Sequence, residues 1–500
     1  MGEVTSYDVA VIGYGPVGAT LANLLALRGL RVVVVEQETE IYPLPRAIQF
    51  DGEAMRLFQT IGIAAELEPD LRVAARMHFI DAEGHTLIDW WRPTDIKPQG
   101  WNTSYRFHQP TLEAALRRRL AGLPNATVLL GHELTGLADG AEGVALGVTD
   151  RATGEQAELS ASYVVGADGA RSLVRRIMGT TLDDLESHER WLVVDCLLKD
   201  GATPDLDEES VQYCDPRRPA TYVPGPHNRR RWELMLHEHE DAAEMVRPER
   251  VWEMLEPWLT PAEATIERPA VYTFHSVVAR GWAKGRVFLA GDACHQTPPF
   301  MGQGMCAGVR DAANLAWKLV EVVQGRADAD LLDTYESERS PHVRTFIETA
   351  VRLGSVISTT DVDVARERDL RMRANPEGFT TPAPRLGAGA WDADDERAGH
   401  IGEQPFMADG THADDLVGYD WAVIATPDAA ARLAGTVAPR VVAVDSESGR
   451  DWLGRLAAEA VLVRPDRYVA AAADSVEALD DFAVAVRRLT NTGEGSPTAG

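Results

Sequence analysis

Five hundred residues with a net charge of −28, 45% hydrophobic and 25% charged, form a globular composition too long for one compact core, so two or three domains are expected. So acidic a chain repels phosphate backbones and anionic lipid, and no basic block relieves it, which sets aside nucleic acid and membranes as partners. Cys196, Cys214, Cys294 and Cys306 form no CxxC pair and no metal-ligand spacing with histidine, which points to a reducing, cytoplasmic compartment and to no metal. No run of about 18 apolar residues occurs, and no charged-then-apolar leader precedes Tyr7.

Residues 7–12 (YDVAVI) predict a strand, Gly13-Tyr14-Gly15-Pro16-Val17-Gly18 a turn, and ATLANLLALRG a helix. A second apolar run, 32–35, ends at Glu36, 18 residues after Gly18, and closes a βαβ unit with an acid at the second strand's tip. GEAMRLFQTIGIAAEL reads as helical, and 112–120 as a helix capped by Thr111. From about 186 to 280, alternating runs such as RWLVVDCLL, ATYVP and WELMLHEH predict a mainly antiparallel sheet. A strand at 286–290 then leads through Gly291-Asp292 and a glycine-rich turn into a helix over 312–322, and a helical segment runs to about Ser358. Pro and Gly residues across 375–390 mark a linker. WAVIAT, PDAAARLAG, RVVAVD, VLVRPDRYVA and SVEALDDFAVAVRRL make a terminal α/β unit, and NTGEGSPTAG reads as a frayed tail.

The glycine fingerprint lets backbone N–H groups approach a pyrophosphate at a helix N-terminus, while Glu36 accepts ribose hydroxyls and disfavours a 2′-phosphate; FAD or NAD fits better than NADP. The alternative is a tight strand–helix turn with a solvated glutamate. Two more segments decide between FAD and NAD: YVVGADGARS at 163–172 followed by Arg175, and 286–292 continued as ACHQTPPFMGQG to Gly304.

With these three motifs in order, the chain resembles the flavoprotein aromatic hydroxylases, single-component FAD monooxygenases whose archetype is para-hydroxybenzoate hydroxylase. GDACHQTPPFMGQGMCAGVRDAANLAWKL is similar to the branch containing 3-(3-hydroxyphenyl)propionate hydroxylase and related polyketide hydroxylases. The resemblance covers about residues 5–355 and implies an α/β fold: a discontinuous FAD-binding Rossmann-like domain (1–75, 100–185, 280–358), a substrate-binding antiparallel-sheet domain (76–99, 186–279), a linker (359–399) and a thioredoxin-like C-terminal domain (400–492). It assigns Gly13, Gly15, Pro16 and Gly18 to the FAD pyrophosphate, Glu36 with Gln37 to the adenosine ribose, and Gly291-Asp292 to the ribityl chain. Asp168, Gly169 and Arg171 match an Asp-Gly motif tied to FAD and NAD(P)H, and Arg46 and Gln109 match flavin-contacting positions. Pro299, Gly302, Gln303, Gly304 and Met305 would border the flavin.

The implied reaction is hydroxylation of a phenol by O2 and NADH or NADPH through a C4a-hydroperoxyflavin, as in aromatic catabolism or polyketide tailoring. The helix opened by Gly302-Gln303-Gly304 would place N–H groups beside the reduced flavin's negative charge, and Pro298-Pro299 a rigid wall at its reactive edge. A phenol is activated by deprotonation, for which Tyr222, Tyr272, His275, His237 and His239 are candidates; each alone is also an ordinary sheet residue, but Tyr272 and His275 gain weight from a YTFH string similar to the family's, just before the strand leading into Gly291-Asp292. Arg229-Arg230-Arg231 could position a substrate carboxylate or form a solvated edge. The terminal unit has no cysteine, which excludes thiol redox chemistry there and leaves packing or homodimer formation. A flavin halogenase is disfavoured because WxWxIP is absent, and a disulfide reductase because no CxxxxC follows the first βαβ unit; a non-catalytic flavin-binding protein is the alternative of another class.

Overall fold

The computed structural model describes residues 6–374 and 377–490. Strand Ser6–Ile12, helix Pro16–Leu27 and strand Val32–Glu36 build the expected βαβ unit; Ser6–Ile12 pairs in parallel with Gln156–Gly166, which pairs in turn with Val287–Leu289, and Val32–Glu36 pairs in parallel with Ala126–Leu130. Val32–Val35 are all but inaccessible to solvent, as a parallel strand covered on both faces requires, which is why the sequence reads as an unbroken valine run there.

A second, mixed sheet is nine-stranded among the described residues. Its two long strands, Leu182–Leu198 and Ala264–Ala279, pair antiparallel, and Arg229–Met235, Ala220–Pro224 and Ser210–Tyr213 follow in order. Ser210–Tyr213 then pairs in parallel with Arg76–Ile80, so a distant piece of chain extends the sheet. One face buries Leu192, Val194, Tyr222, Trp232 and Leu234; the other packs Met77, Trp90 and Trp191 against Phe300 and Met301.

Residues 422–473 form a four-stranded sheet whose sequence-ordered strands lie 2-1-3-4, the first two parallel and the rest antiparallel, flanked by helices Pro427–Leu433, Glu447–Arg455 and Leu479–Thr490. This is the thioredoxin-like arrangement.

Four local expectations change. The helix expected at 112–120 spans Gln109–Ala121 with His108 as N-cap; Pro110 supplies the first-turn residue that needs no N–H, and Thr111 bonds the His108 ring instead of capping. The helical text after Glu36 breaks at Gly62, whose φ of +91° ends Gly52–Ile61. The helix expected at 312–322 starts at Gly304, one turn past the proline pair. The stretch 359–399 is more than a spacer: helix Val362–Ala374 donates from Arg368 to the Cys214 carbonyl (2.8 Å), and Glu377–Gly378 joins strand Thr86–Trp91. Proline and glycine there limit regular structure but not burial, and the Phe379 ring lies 4.7 Å from Trp90. Asn375 and Pro376 of the expected linker, and the tail at 491–500, lie outside the described residues.

Candidate functional site

The glycine turn is built by close backbone approach. Gly13 has φ +101°, and a Cβ there would lie 2.4 Å from the Ala167 carbonyl oxygen; a Cβ on Gly18 would lie 2.1 Å from the Gly13 oxygen. A Cβ on Gly15, the helix N-cap, would meet nothing within 4 Å. Two glycines therefore serve packing, while the third opens onto space in front of a helix N-terminus with no side-chain cap, as an anion cradle needs. Glu36 accepts the Tyr14 N–H at Oε2 (2.7 Å) and the Glu38 N–H at Oε1 (2.9 Å), which aims its carboxylate across the turn; Gln37 is exposed beside it.

Gly291, with φ +63°, turns the chain after strand Val287–Leu289 and presents Asp292. Asp292 is exposed on this turn, which packs against Val17 of the glycine cradle. Enclosure pushes its carboxyl above the ordinary range, against the pull of His295 and Arg46. Asp311, which sequence reading passes over, holds this turn: Oδ2 accepts the Gly291 N–H (3.1 Å) and contacts His295 Nε2 (2.6 Å), and Oδ1 accepts from Arg339 (3.0 Å). Its burial is outweighed by His295 and Arg339, which hold its carboxyl below the usual range. Cys294, His295 and Asp311 could in geometry hold a metal, but Asp311 is already committed to these donors. All four thiols are buried, and desolvation pushes Cys294 and Cys306 far up, so neither is a thiolate.

Pro298 and Pro299 lead to Gly302 (φ +64°) and the helix Gly304–Val323, whose N-cap Gln303 makes no side-chain cap bond. The nearest atom to a Cβ on Gly304 would be 4.0 Å away, so this helix end too faces open space, with Met305 half-buried beside it. Asp168 lies across the glycine turn, but its carboxylate caps helix Leu173–Met178, accepting the Ser172 hydroxyl (2.5 Å) and the N–H groups of Leu173 (2.7 Å) and Val174 (3.1 Å). Gly169 turns with φ +76° and Arg171 is exposed. Arg175 ties the two motifs together through the Ala293 and Ala170 carbonyls. Gln109 accepts the N–H groups of Arg46 (3.0 Å) and Ala47 (2.7 Å) and so fixes the loop that carries the exposed Arg46. Arg231 clamps the same loop through the Pro45 and Arg46 carbonyls while paired with Asp195 at 2.7 Å.

Strand alternation separates the base candidates. Tyr272 stacks with Phe274 (6.2 Å, 10°) and lies opposite Trp191, whose ring meets Phe300 of the proline turn at 5.6 Å. His275 projects from the other face, with its Nδ1 2.8 Å from His188 Nδ1, and His188 Nε2 is 2.9 Å from Asp184. Tyr222 lies 5.0 Å from Trp232 in the core on the far side of the sheet, its hydroxyl pushed up to about 12 by burial. His237 and His239 stack on each other in a turn, Arg229 pairs with Glu267 (2.6 Å), and Arg230 bonds backbone carbonyls. Thus Tyr272 alone among the five shares a face with the proline turn. That face also carries Glu233, opposite Val193 and Thr221, buried and pushed upward by desolvation. Gln49, Arg92 and Arg106 gather beside it. The missed signal was a charged residue at an inward position of an alternating strand.

A glycine cradle packed on the Gly291-Asp292 turn and an aromatic sheet face packed on the proline turn suit an FAD-dependent aromatic hydroxylase. The FAD binding domain family matches residues 6–350, and the chain belongs to that family. It is 36% identical to a 3-(3-hydroxy-phenyl)propionate/3-hydroxycinnamic acid hydroxylase of Burkholderia vietnamiensis, over 94% of each chain. A Rhodococcus jostii protein named "Probable NADH-specific resorcinol 4-hydroxylase" is 38% identical over 84% of this chain and 79% of its own. The crystal structure of aklavinone-11 hydroxylase with FAD and aklavinone shares the fold with a TM-score of 0.79 at 24% identity, covering 97% of this chain and 99% of the other. Among the described residues, no helix is long and apolar enough to cross a membrane.

Proposed function

We propose that this protein hydroxylates a small phenol, with FAD held between the glycine cradle and the Gly304 helix end and with NADH as electron donor. The observation that carries the reading is that two uncapped helix ends, at Gly15 and Gly304, open onto free space, with Asp292 exposed on the Gly291 turn that packs against Val17 of the cradle. Gly15 and the helix end behind it would hold the pyrophosphate, Glu36 the adenosine ribose and Asp292 the ribityl hydroxyls, with the exposed Arg46 near Asp292. Bound FAD supplies the redox chemistry, accepting a hydride from the nicotinamide and activating O2. The N–H groups at Gly304 stabilise the negative charge of the reduced ring. Pro298 and Pro299 limit water at its edge.

The phenol lies on the face of Tyr272, Phe274 and Trp191, where the Tyr272 hydroxyl receives or relays the phenolic proton. NADH is preferred by analogy with the resorcinol 4-hydroxylase relative. The test is a panel of phenols assayed for NADH oxidation, O2 uptake and product mass. Substrate-stimulated NADH oxidation with one oxygen atom added to the ring is expected; an FAD-loaded protein that hydroxylates none of them overturns the reading in favour of a flavin-binding protein.

A further inference from the structure

We infer that Arg92, with Arg106 beside it, forms an anion subsite that anchors a carboxylate on the phenolic substrate; this rests on the phenol-hydroxylase reading above. Arg92 is only 5% exposed, and both of its terminal nitrogens lack a hydrogen-bond partner. Its guanidinium stacks 3.9 Å from the centre of the Trp90 ring, in the core that holds Trp191, Phe300 and Met301. A buried arginine leaves such donors unpaired at a cost of a hydrogen bond each, and a group that cannot shed its proton near neutral pH must meet an acceptor. Burial, with Arg106 adding repulsion, pulls Arg92 down to about 9, and burial pulls Arg106 down to about 10, although Glu209 draws both upward and Glu233 also draws Arg106 upward. An anion between them reverses both penalties.

The subsite adjoins the reaction centre. Arg106 donates to Ser210 Oγ (2.5 Å) and to Gln49 Oε1, and its Nε is unpaired. Gln49 Nε2 donates to the Met301 carbonyl at 3.3 Å and packs against Gly302, where a Cβ would come within 3.0 Å of it. One glutamine side chain therefore separates Arg106 from the turn that borders the flavin. A planar guanidinium with two free nitrogens matches a carboxylate in bidentate fashion. An aryl ring on the Trp191–Tyr272 face with a short acid arm reaching Arg92 satisfies both ends.

Isothermal titration of the FAD-loaded protein without NADH compares 3-(3-hydroxyphenyl)propionate with its carboxamide, which keeps the shape and removes the charge. The acid should bind about ten- to a hundred-fold more tightly, the worth of charge-assisted bonds. In Arg92→Gln that preference should collapse toward parity, and Arg92→Lys, which keeps the charge without the fork, should restore part of it. The ratio of kcat/KM for acid over amide should follow the same order. Equal binding of acid and amide by the parent overturns the subsite without needing a variant that folds, as does an Arg92→Gln protein with full FAD content and an unchanged preference. If acid and amide are both hydroxylated with equal affinity, the phenol reading stands and the subsite falls. If the acid is preferred but nothing is hydroxylated, the subsite stands as an anion site and the phenol reading falls.

Discussion

At the scale of single residues, two carboxylates that look alike in sequence do different work. Asp168 is spent on capping a helix, whereas Asp292 has no such commitment and is exposed. Asp292→Ala should therefore weaken FAD by roughly one to two decades, the loss of charge-assisted bonds of about 1.5–3 kcal/mol, measured by equilibrium dialysis of the apoprotein. Unchanged affinity would move Asp292 out of the site. The base candidates divide as sharply. General-base help is typically worth about 10²–10⁴-fold. Tyr272→Phe should therefore cut product per NADH and raise hydrogen peroxide near neutral pH, with recovery toward pH about 10, the unperturbed phenol pKa. His275→Ala should stay as tightly coupled as the parent, because His275 projects from the opposite face of the strand toward His188. Loss of coupling in His275→Ala with Tyr272→Phe unaffected would reverse the assignment.

At the scale of elements, the cradle was legible because its parts are contiguous: strand, glycines, helix and acid lie within one stretch, and each obeys a local rule. The subsite around Arg92 was not. Gln49, Arg92, Arg106 and Glu233 come from four separate segments, and the pairings that bring them together, Ser210–Tyr213 with Arg76–Ile80 and Gln49 with Arg106, leave no local signature. Strand periodicity identified the sheet residues but could not say which face met the flavin, so Tyr272 and His275, both favoured by their YTFH string, were not told apart. The three glycines of the turn make a testable contrast. Gly15→Ala puts a methyl into open space, so the apoprotein should melt near the parent while FAD affinity falls. Gly13→Ala drives a Cβ into the Ala167 carbonyl at a positive φ, and should lower the apoprotein's melting temperature itself. Differential scanning calorimetry with and without FAD separates the two; equal destabilisation of the apoproteins would mean that Gly15 also serves packing.

At the scale of the whole molecule, the thioredoxin-like unit is joined to the flavin-side helices by buried charge. Glu338, on helix Thr334–Ile357, is fully buried; it pairs bidentately with Arg464 of the terminal unit (2.9 and 2.8 Å) and accepts from Lys318 (2.9 Å) and Asn314 (2.7 Å). Arg464 is also held by Asp466, while Arg467 and Arg56 share Asp414. Burial alone would raise the Glu338 carboxyl, but Arg464 and Lys318 outweigh it and hold it at about 2. A carboxylate depressed in the folded state contributes stability that is complete above its unfolded value of about 4.3 and is lost as pH falls toward the folded value. The attachment of the terminal unit should therefore weaken between about pH 4 and pH 2. Glu338→Ala, which strands the buried Lys318 and leaves Arg464 with Asp466 alone, should cost about 3–5 kcal/mol near neutral pH. Glu338→Gln should show a shallower loss of stability with acid than the parent over that window, because the group that titrates is gone. Urea unfolding followed by tryptophan fluorescence reads both effects, since Trp317 and Trp421 meet edge to face at 5.3 Å across this junction. If parent and Glu338→Gln lose stability in parallel on acidification, the carboxylate does not carry the junction, and the Asp414 pair with Arg56 and Arg467 must hold it instead.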